Sequence, residues 1–204
     1  VAPRRLFASG ANTKVFTAGA VAMLGGEGKL DWDDRVVDRL PGFQMSDPYV
    51  TREMRVRDLL CHRSGLGLGA GDLMFWPASD LSDEDILQRL RFIPLATSFR
   101  STYAYDNILY SVAGLLLKQV GGKPWEEVMR ARFFGPLGMA DSLPGSKFLK
   151  ADTDVATPHA PAEGKLVALP QDPFNNNAPA GAILSSAEDL SKWVRVLLAQ
   201  GDLG

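Results

Sequence analysis

Soft metal ligands, long apolar runs and an excess of either charge are what this sequence has least of. A single cysteine, Cys61, excludes an internal disulfide. With His62 and His159 the only histidines, soft ligands are too few for a zinc site, and neither a metal nor any other cofactor is expected. No apolar run approaches the roughly 20 residues that a spanning helix needs, so no membrane span is expected. The net charge is −2 over 204 residues, which gives no electrostatic ground for nucleic acid or an anionic membrane as partner. The opening "VAPRRLFASG" carries two arginines but no continuous apolar stretch, so it does not read as an intact signal peptide. Cys61 stands beside His62 in "RDLLCHRSG", yet adjacent residues on a helix or strand do not face each other. It closes an apolar "LLC" run, and a buried structural cysteine is expected there.

What the sequence does have is helix. Residues 13–26, "TKVFTAGAVAMLGG", are apolar or small apart from Lys14, the pattern of a helix buried on most faces and ended by Gly25-Gly26. "EGKLDWDDRVVDRLPGF" places Leu30, Trp32, Val36, Val37 and Leu40 on a short amphipathic turn that Pro41-Gly42 stops. "MRVRDLLCH" predicts a short helix closed by the glycine-rich loop "SGLGLGAG". Residues 82–93 start on Ser82 with acids in the first turn and put Ile86, Leu87 and Leu90 on one face. "NILYSVAGLLLKQVGG" and "KPWEEVMRARFFGPLGM" are two further apolar helices, the second with Trp125, Val128, Met129 and Phe133 inward. Residues 144–182 are rich in Pro, Gly and Asn and predict loops with one or two short strands. "SSAEDLSKWVRVLLAQG" predicts a last helix, capped by a Ser185–Glu188 box, with Leu190, Trp193, Val194, Leu197 and Leu198 on its apolar face.

Two places carry side chains that packing does not ask for. Lys14 opens an apolar helix, where burial costs free energy unless partners are supplied. Either it snorkels to the surface, or desolvation lowers its pKa and makes its amine a base. A residue three positions earlier lies on the same helix face, and that residue is Ala11. The second place is "SFRSTYAYDNILY". Tyr105 and Asn107 precede an apolar helix on a loop that can present them to a cleft. A phenol near an ammonium can be held ionised and pass protons. Asn107 either caps the helix or offers its amide to a carbonyl oxygen. Trp76 in "GDLMFWPASD" and Phe174 in "DPFNNN" either line a cleft or pack in the core.

"LFASGANTKVFTAGAVAMLGGEGKLDWDDRVVDRLPGF", "MRVRDLLCHRSGLGLG", "YAYDNILYSVAGLLLKQVGGKPWEEVMRARFFGPLGM" and "APAGAILSSAEDLSKWV" resemble, in this order, successive blocks of the serine β-lactamase-related family. That family includes class C β-lactamases, D-alanyl-D-alanine carboxypeptidases, D-aminopeptidases and family VIII esterases. The likeness runs over most of the chain. It implies an α+β fold of the serine β-lactamase/transpeptidase type, this chain carrying mainly the helical lobe with the antiparallel sheet incomplete at both ends. Residues 1–204 would be the central part of one unit: 1–30 around the nucleophile helix, 31–150 a mainly helical lobe, 151–204 loops and a return helix toward the sheet.

The family's Ser-x-x-Lys motif supplies a nucleophile and its base, and its Tyr-x-Asn motif a proton-relay tyrosine and a substrate-holding asparagine. The resemblance therefore implies that Ala11 occupies the nucleophile position, that Lys14 and Tyr105 are catalytic, and that Asn107 binds substrate. Trp76, as an aromatic wall of the cleft, is expected to contact substrate on its residue type alone. Ser9 has no lysine in register, and Ser64 falls in a block that looks structural. No Lys-Thr-Gly or His-x-Gly string occurs, and the family's opening strands would precede Phe7. The missing strands are expected from the rest of a longer chain. The implied activity is acyl-enzyme hydrolysis of a small-molecule ester, β-lactam or D-amino acid amide, and the "LMFW" run favours esters. With alanine at position 11 the chain is expected to be inactive as written, by deliberate substitution or as a natural, non-catalytic ligand-binding or regulatory member. The family favours a periplasmic or secreted location.

Overall fold

The structure is a computed structural model and describes residues 2–171 and 175–201. Phe174 lies outside the described residues. In chain order the elements are β1 (Phe7–Ala8), α1 (Thr13–Gly26), α2 (Val36–Arg39), α3 (Pro48–Glu53), α4 (Asp83–Leu90), α5 (Ile108–Gly121) and α6 (Trp125–Met129), which runs on into one π turn, Arg130–Phe134. β2 (His159–Ala162), β3 (Lys165–Ala168), α7 (Ala178–Gly181), β4 (Leu184–Ser185) and α8 (Ala187–Leu198) follow. Among the described residues the sheet content is two antiparallel pairs, β1 with β4 and β2 with β3.

α5 is the axis of the lobe. "ILYSVAGLLL" has no polar face, and all ten of its residues from Ile108 to Leu117 are buried. α1, α4 and α7 pack around it. Gly122, at φ 74°, ends α5 in the left-handed conformation that a residue without Cβ adopts at no steric cost. α4 begins as its sequence predicts: Ser82 Oγ accepts from the Asp85 N–H at 3.1 Å, and the Asp85 carboxylate accepts from the Ser82 N–H at 3.0 Å.

Five expectations need correction. The helix expected after Arg55 is one 3-10 turn, Val56–Leu59. Val56 and Leu59 take its buried positions and Cys61 falls on the exposed side. Partial desolvation and the nearby Asp58 carboxylate push the Cys61 thiol above its ordinary pKa. Trp32 and Val37 are exposed, because a four-residue α2 turns only Val36 and the flanking Leu30 and Leu40 into the core. The α8 cap sits one residue late: Ser186 Oγ accepts from the Asp189 N–H. Ser185 is held in β4, its hydroxyl 2.8 Å from that of Ser142. On α8, Leu190 and Trp193 pack against the core, whereas Val194, Leu197 and Leu198 remain exposed.

One ion pair ties the loop ahead of α5 to the turn after α3. Arg100 donates to both oxygens of the buried Asp58, at 3.0 and 2.6 Å. Asp58 has one other described donor, the Arg55 N–H. Arg100→Ala is therefore expected to cost about 1.5–3 kcal/mol, the range for hydrogen bonds to a charged group. The urea midpoint reads this loss directly. A change within about 0.5 kcal/mol would reduce the pair to an ordinary surface contact.

Candidate active site

A 3-10 turn, Gly10–Asn12, carries the chain from β1 into α1 and leaves Ala11 exposed on it. The next turn buries Lys14, which is 7% exposed. Its ammonium does not snorkel. It donates to the Tyr105 hydroxyl at 2.6 Å, to Asn107 Oδ1 at 2.8 Å and to the Ala180 carbonyl at 2.9 Å. An ammonium has three protons, and each has an acceptor. That is why a lysine is tolerated in an otherwise apolar helix start.

The loop before α5 is built to deliver these acceptors. Asn107 occupies the position before the helix but makes no cap. Asp106 faces the helix instead, one carboxylate oxygen accepting from the Leu109 N–H at 3.4 Å, which leaves the Asn107 amide free to point at Lys14. Tyr105 is fixed by stacking: the His62 ring lies 4.5 Å from it, 5.6 Å from Tyr110 and 5.7 Å from Tyr103. His62 adopts φ 58° to do so, a conformation uncommon outside glycine. The Ala180 carbonyl comes from α7, which is fastened to α1 by a second bond, Thr17 Oγ1 to the Pro179 carbonyl at 2.7 Å.

Ser9 points elsewhere, its hydroxyl donating to the Ile183 carbonyl at 2.7 Å. Ser64 is buried and accepts from the Leu66 N–H. Neither competes for the role of position 11.

Electrostatics separate the amine from the phenol. Burial lowers the Lys14 pKa from 10.5 to about 8, against the pull of the Asp106 and Asp72 charges. Burial raises the Tyr105 pKa, and Tyr103, Asp72 and Asp106 raise it further. The expectation of an ionised phenol is thus reversed. Burial of the hydroxyl first, and the surrounding negative charge second, disfavour the phenolate, so a neutral phenol faces an amine that loses its proton near pH 8.

The sign for stability follows from the same shift. Between about pH 8 and 10.5 the unfolded chain holds a proton on Lys14 that the folded chain has released, so stability rises with pH across that window. Lys14→Met is expected to remove this rise. The measurement is the difference in denaturation free energy, parent minus variant, at pH 7 and 10.5. A difference that does not change with pH refutes the assignment.

Ala11, Lys14, Tyr105, Asn107 and Trp76 all line one cleft of about 510 Å³. Its walls are otherwise largely apolar and include Pro158, Leu169, Pro170 and Leu184 together with Ala180 and Gly181 of α7. Among the described lining residues Lys14 carries the sole formal charge. Of "LMFW", Trp76 lines this cleft, Phe75 is core and Leu73 is exposed. Three contributors were missed from sequence: Asp72, which binds the Asn107 amide, the His62 ring and the Ala180 carbonyl. The glycine loop read only as a loop, and a main-chain acceptor leaves no trace in residue type.

A lysine, a tyrosine and an asparagine meeting at the start of a central helix, above a helical lobe with partial antiparallel sheet, define the β-lactamase/transpeptidase class of fold. The sequence profile of the family described as Beta-lactamase matches residues 1–204. The chain belongs to that family, whose members are serine hydrolases of amidase, esterase and penicillin-binding-protein type. It is 30% identical over 210 residues to Unguisins hydrolase ungD of Aspergillus violaceofuscus, covering 95% of this chain and 36% of that protein. It is 32% identical over 144 residues to Penicillin-binding protein 4 of Amycolatopsis lactamdurans, covering 68% of this chain and 36% of that one. The octameric penicillin-binding protein homologue from Pyrococcus abyssi superposes with a TM-score of 0.84 at 26% identity, over 98% of this chain and 46% of that one. The chain thus spans less than half the length of each. Among the described residues no group of three or more His, Cys, Asp or Glu could hold a metal, and no helix is long and apolar enough to cross a membrane.

Proposed function

We propose that this chain holds the acylation half-site of a serine hydrolase in which Ala11 has replaced the nucleophile, so that it binds substrate and does not turn it over. The observation that carries the reading is the 2.6 Å contact of Lys14 Nζ with the Tyr105 hydroxyl in the cleft that exposes Ala11. With serine at position 11, the neutral Lys14 amine, assisted by Tyr105, takes the hydroxyl proton as the oxygen attacks an ester or amide carbonyl. The backbone N–H at position 11 is one donor to the developing oxyanion. The Tyr105 phenol, neutral and hydrogen-bonded to the amine, returns the proton to the leaving group. Water then attacks the acyl-enzyme by the same route in reverse.

The names of the relatives, a hydrolase and a penicillin-binding protein, support acyl chemistry of this kind. The apolar wall with one charged residue favours neutral, hydrophobic esters or amides as substrate. The strands bordering the other side of the cleft, and covering Val194, Leu197 and Leu198, are proposed to come from the rest of a longer protein.

A second reading keeps the site for binding alone. It is favoured by the closed Lys14 network, whose three bonds are complete with no hydroxyl at position 11. Hydrolysis by an Ala11→Ser variant of the full-length protein separates the two.

A further inference from the structure

We propose that Asp72 is a positioning residue of this site, its carboxylate anchoring the Asn107 amide so that the amide oxygen, and not its nitrogen, faces Lys14. Asn107 Nδ2 donates to the two Asp72 oxygens at 3.1 and 3.3 Å, while Asn107 Oδ1 accepts from Lys14. The chemistry of the neighbours fixes this orientation. A carboxylate only accepts and an ammonium only donates, so the reversed amide would face like with like on both sides. Asp72, Asn107 and Lys14 thus form one line of alternating acceptor and donor.

The anchor is itself held. The turn that carries Asp72 is closed by its N–H donating to the Gly69 carbonyl at 3.0 Å, and Gly69 N–H donates to the carbonyl of Tyr105 at 2.8 Å. Gly71 in the same turn has φ 84°, and a Cβ there would lie 2.9 Å from Ile108 Cδ1. The turn is therefore pressed against the first residue of α5 and fastened to Tyr105, so Asp72 and Asn107 cannot drift apart independently.

Two consequences follow. The Asn107 amide serves Lys14 through its oxygen and is oriented by Asp72 through its nitrogen, which carries two N–H donors and so is not used up by one carboxylate partner. The Asp72 charge also favours the ammonium form of Lys14. The charged and titratable groups facing Lys14 are Tyr105 and Asp106 from the loop, Tyr110 from α5, and Asp72 from its turn. α7 contributes a carbonyl only. Asp72 is the one of these that acts on Lys14 through a second side chain.

The test reads Lys14 directly, by pH titration of its Nζ and Cε resonances in the labelled protein, assigned by loss of the signal in Lys14→Met. Asp72→Asn keeps the size and one acceptor oxygen but removes the charge. It is expected to lower the midpoint by about 0.5–1 pH unit. Asp72→Leu also frees the amide to rotate, and the fall is expected to be larger. Asp72→Glu should restore most of it, which a merely structural role would not do. In the parent protein, the Asn107 side-chain NH2 resonances should shift as acid protonates Asp72, a readout that needs no variant. An unchanged or raised Lys14 midpoint in folded Asp72→Asn, or Asn107 NH2 signals that ignore Asp72, overturns the proposal.

The inference rests on the hydrolase reading for its catalytic consequence only. With Ala11→Ser also present, Asp72→Asn should shift the acid limb of the kcat–pH profile downward by the same 0.5–1 unit. A midpoint shift without any hydrolysis would refute the hydrolase reading and leave this one standing, and the converse result would do the opposite.

Discussion

Ala11→Ser in the full-length protein is expected to create hydrolysis where the parent shows none, by a factor on the order of 10⁶ in kcat, the usual cost of lacking such a nucleophile. The gain comes from one oxygen because the rest of the machinery stands in place. Lys14 is buried, hydrogen-bonded and poised to lose its proton near pH 8. A general base is most useful when its pKa lies near the working pH. The rate should therefore rise with pH to a plateau above about pH 8 and collapse when Lys14→Met is added. Short-chain nitrophenyl esters, which carry no carboxylate, should be cleaved faster than a chromogenic cephalosporin, which does, because the described cleft wall offers a carboxylate no cation beyond the engaged Lys14. If neither compound is cleaved above the parent's background, the catalytic reading fails and the binding-only reading takes its place.

Much of this site was legible in the residues. An apolar helix that opens on a lysine cannot leave that lysine unpartnered, and the tyrosine and asparagine ahead of α5 were the side chains with no packing reason to be there. What the residues could not say was how the partners divide the work. Asn107 could have capped α5, and only the placement of Asp106 against the Leu109 N–H shows that it does not. The ionised Tyr105 expected beside an ammonium failed first because burial disfavours the phenolate, with Tyr103, Asp72 and Asp106 adding to it. Neither that burial nor the approach of Asp72 from its distant turn is encoded in a local pattern.

The fold was legible to the same depth. Helix α4 announces itself by its cap, α1 and α5 by their terminal glycines, and all three by apolar residues at helical spacing. The short elements do not. A four-residue α7 between "NNN" and "ILSS" exists because α1 and α5 hold it, not because "APAG" favours a helix, so no propensity argument finds it. The exposed Cys61 has the same origin: a 3-10 turn and an α-helix place the sixth residue of "VRDLLC" on different sides, and which of them forms is decided by packing.

Gly114→Ala is expected to be the most damaging of the conservative changes, with effects on both stability and Lys14. Inside an exposed helix the substitution would gain up to about 1 kcal/mol from propensity. At position 114 an added Cβ would lie 2.3 Å from Pro179 Cγ and 3.2 Å from Pro179 Cβ, inside any tolerable contact. α7 would have to lift away from α5, although its Pro179 and Ala180 carbonyls are bonded to Thr17 and Lys14 of α1. Overpacking of this kind costs about 1–3 kcal/mol, and here the displacement also takes the third acceptor from a buried ammonium. The Lys14 midpoint should accordingly fall further below 8 as the urea midpoint drops. Gly121→Ala is the control on the same helix: its Cβ would meet Leu24 at 3.7 and 3.9 Å, ordinary contact distances, and φ there is not in the left-handed region. That variant should match or exceed the parent in stability and leave Lys14 untouched. Equal behaviour of the two variants would show that α7 yields without cost, and that the Ala180 carbonyl does not help to hold the buried lysine.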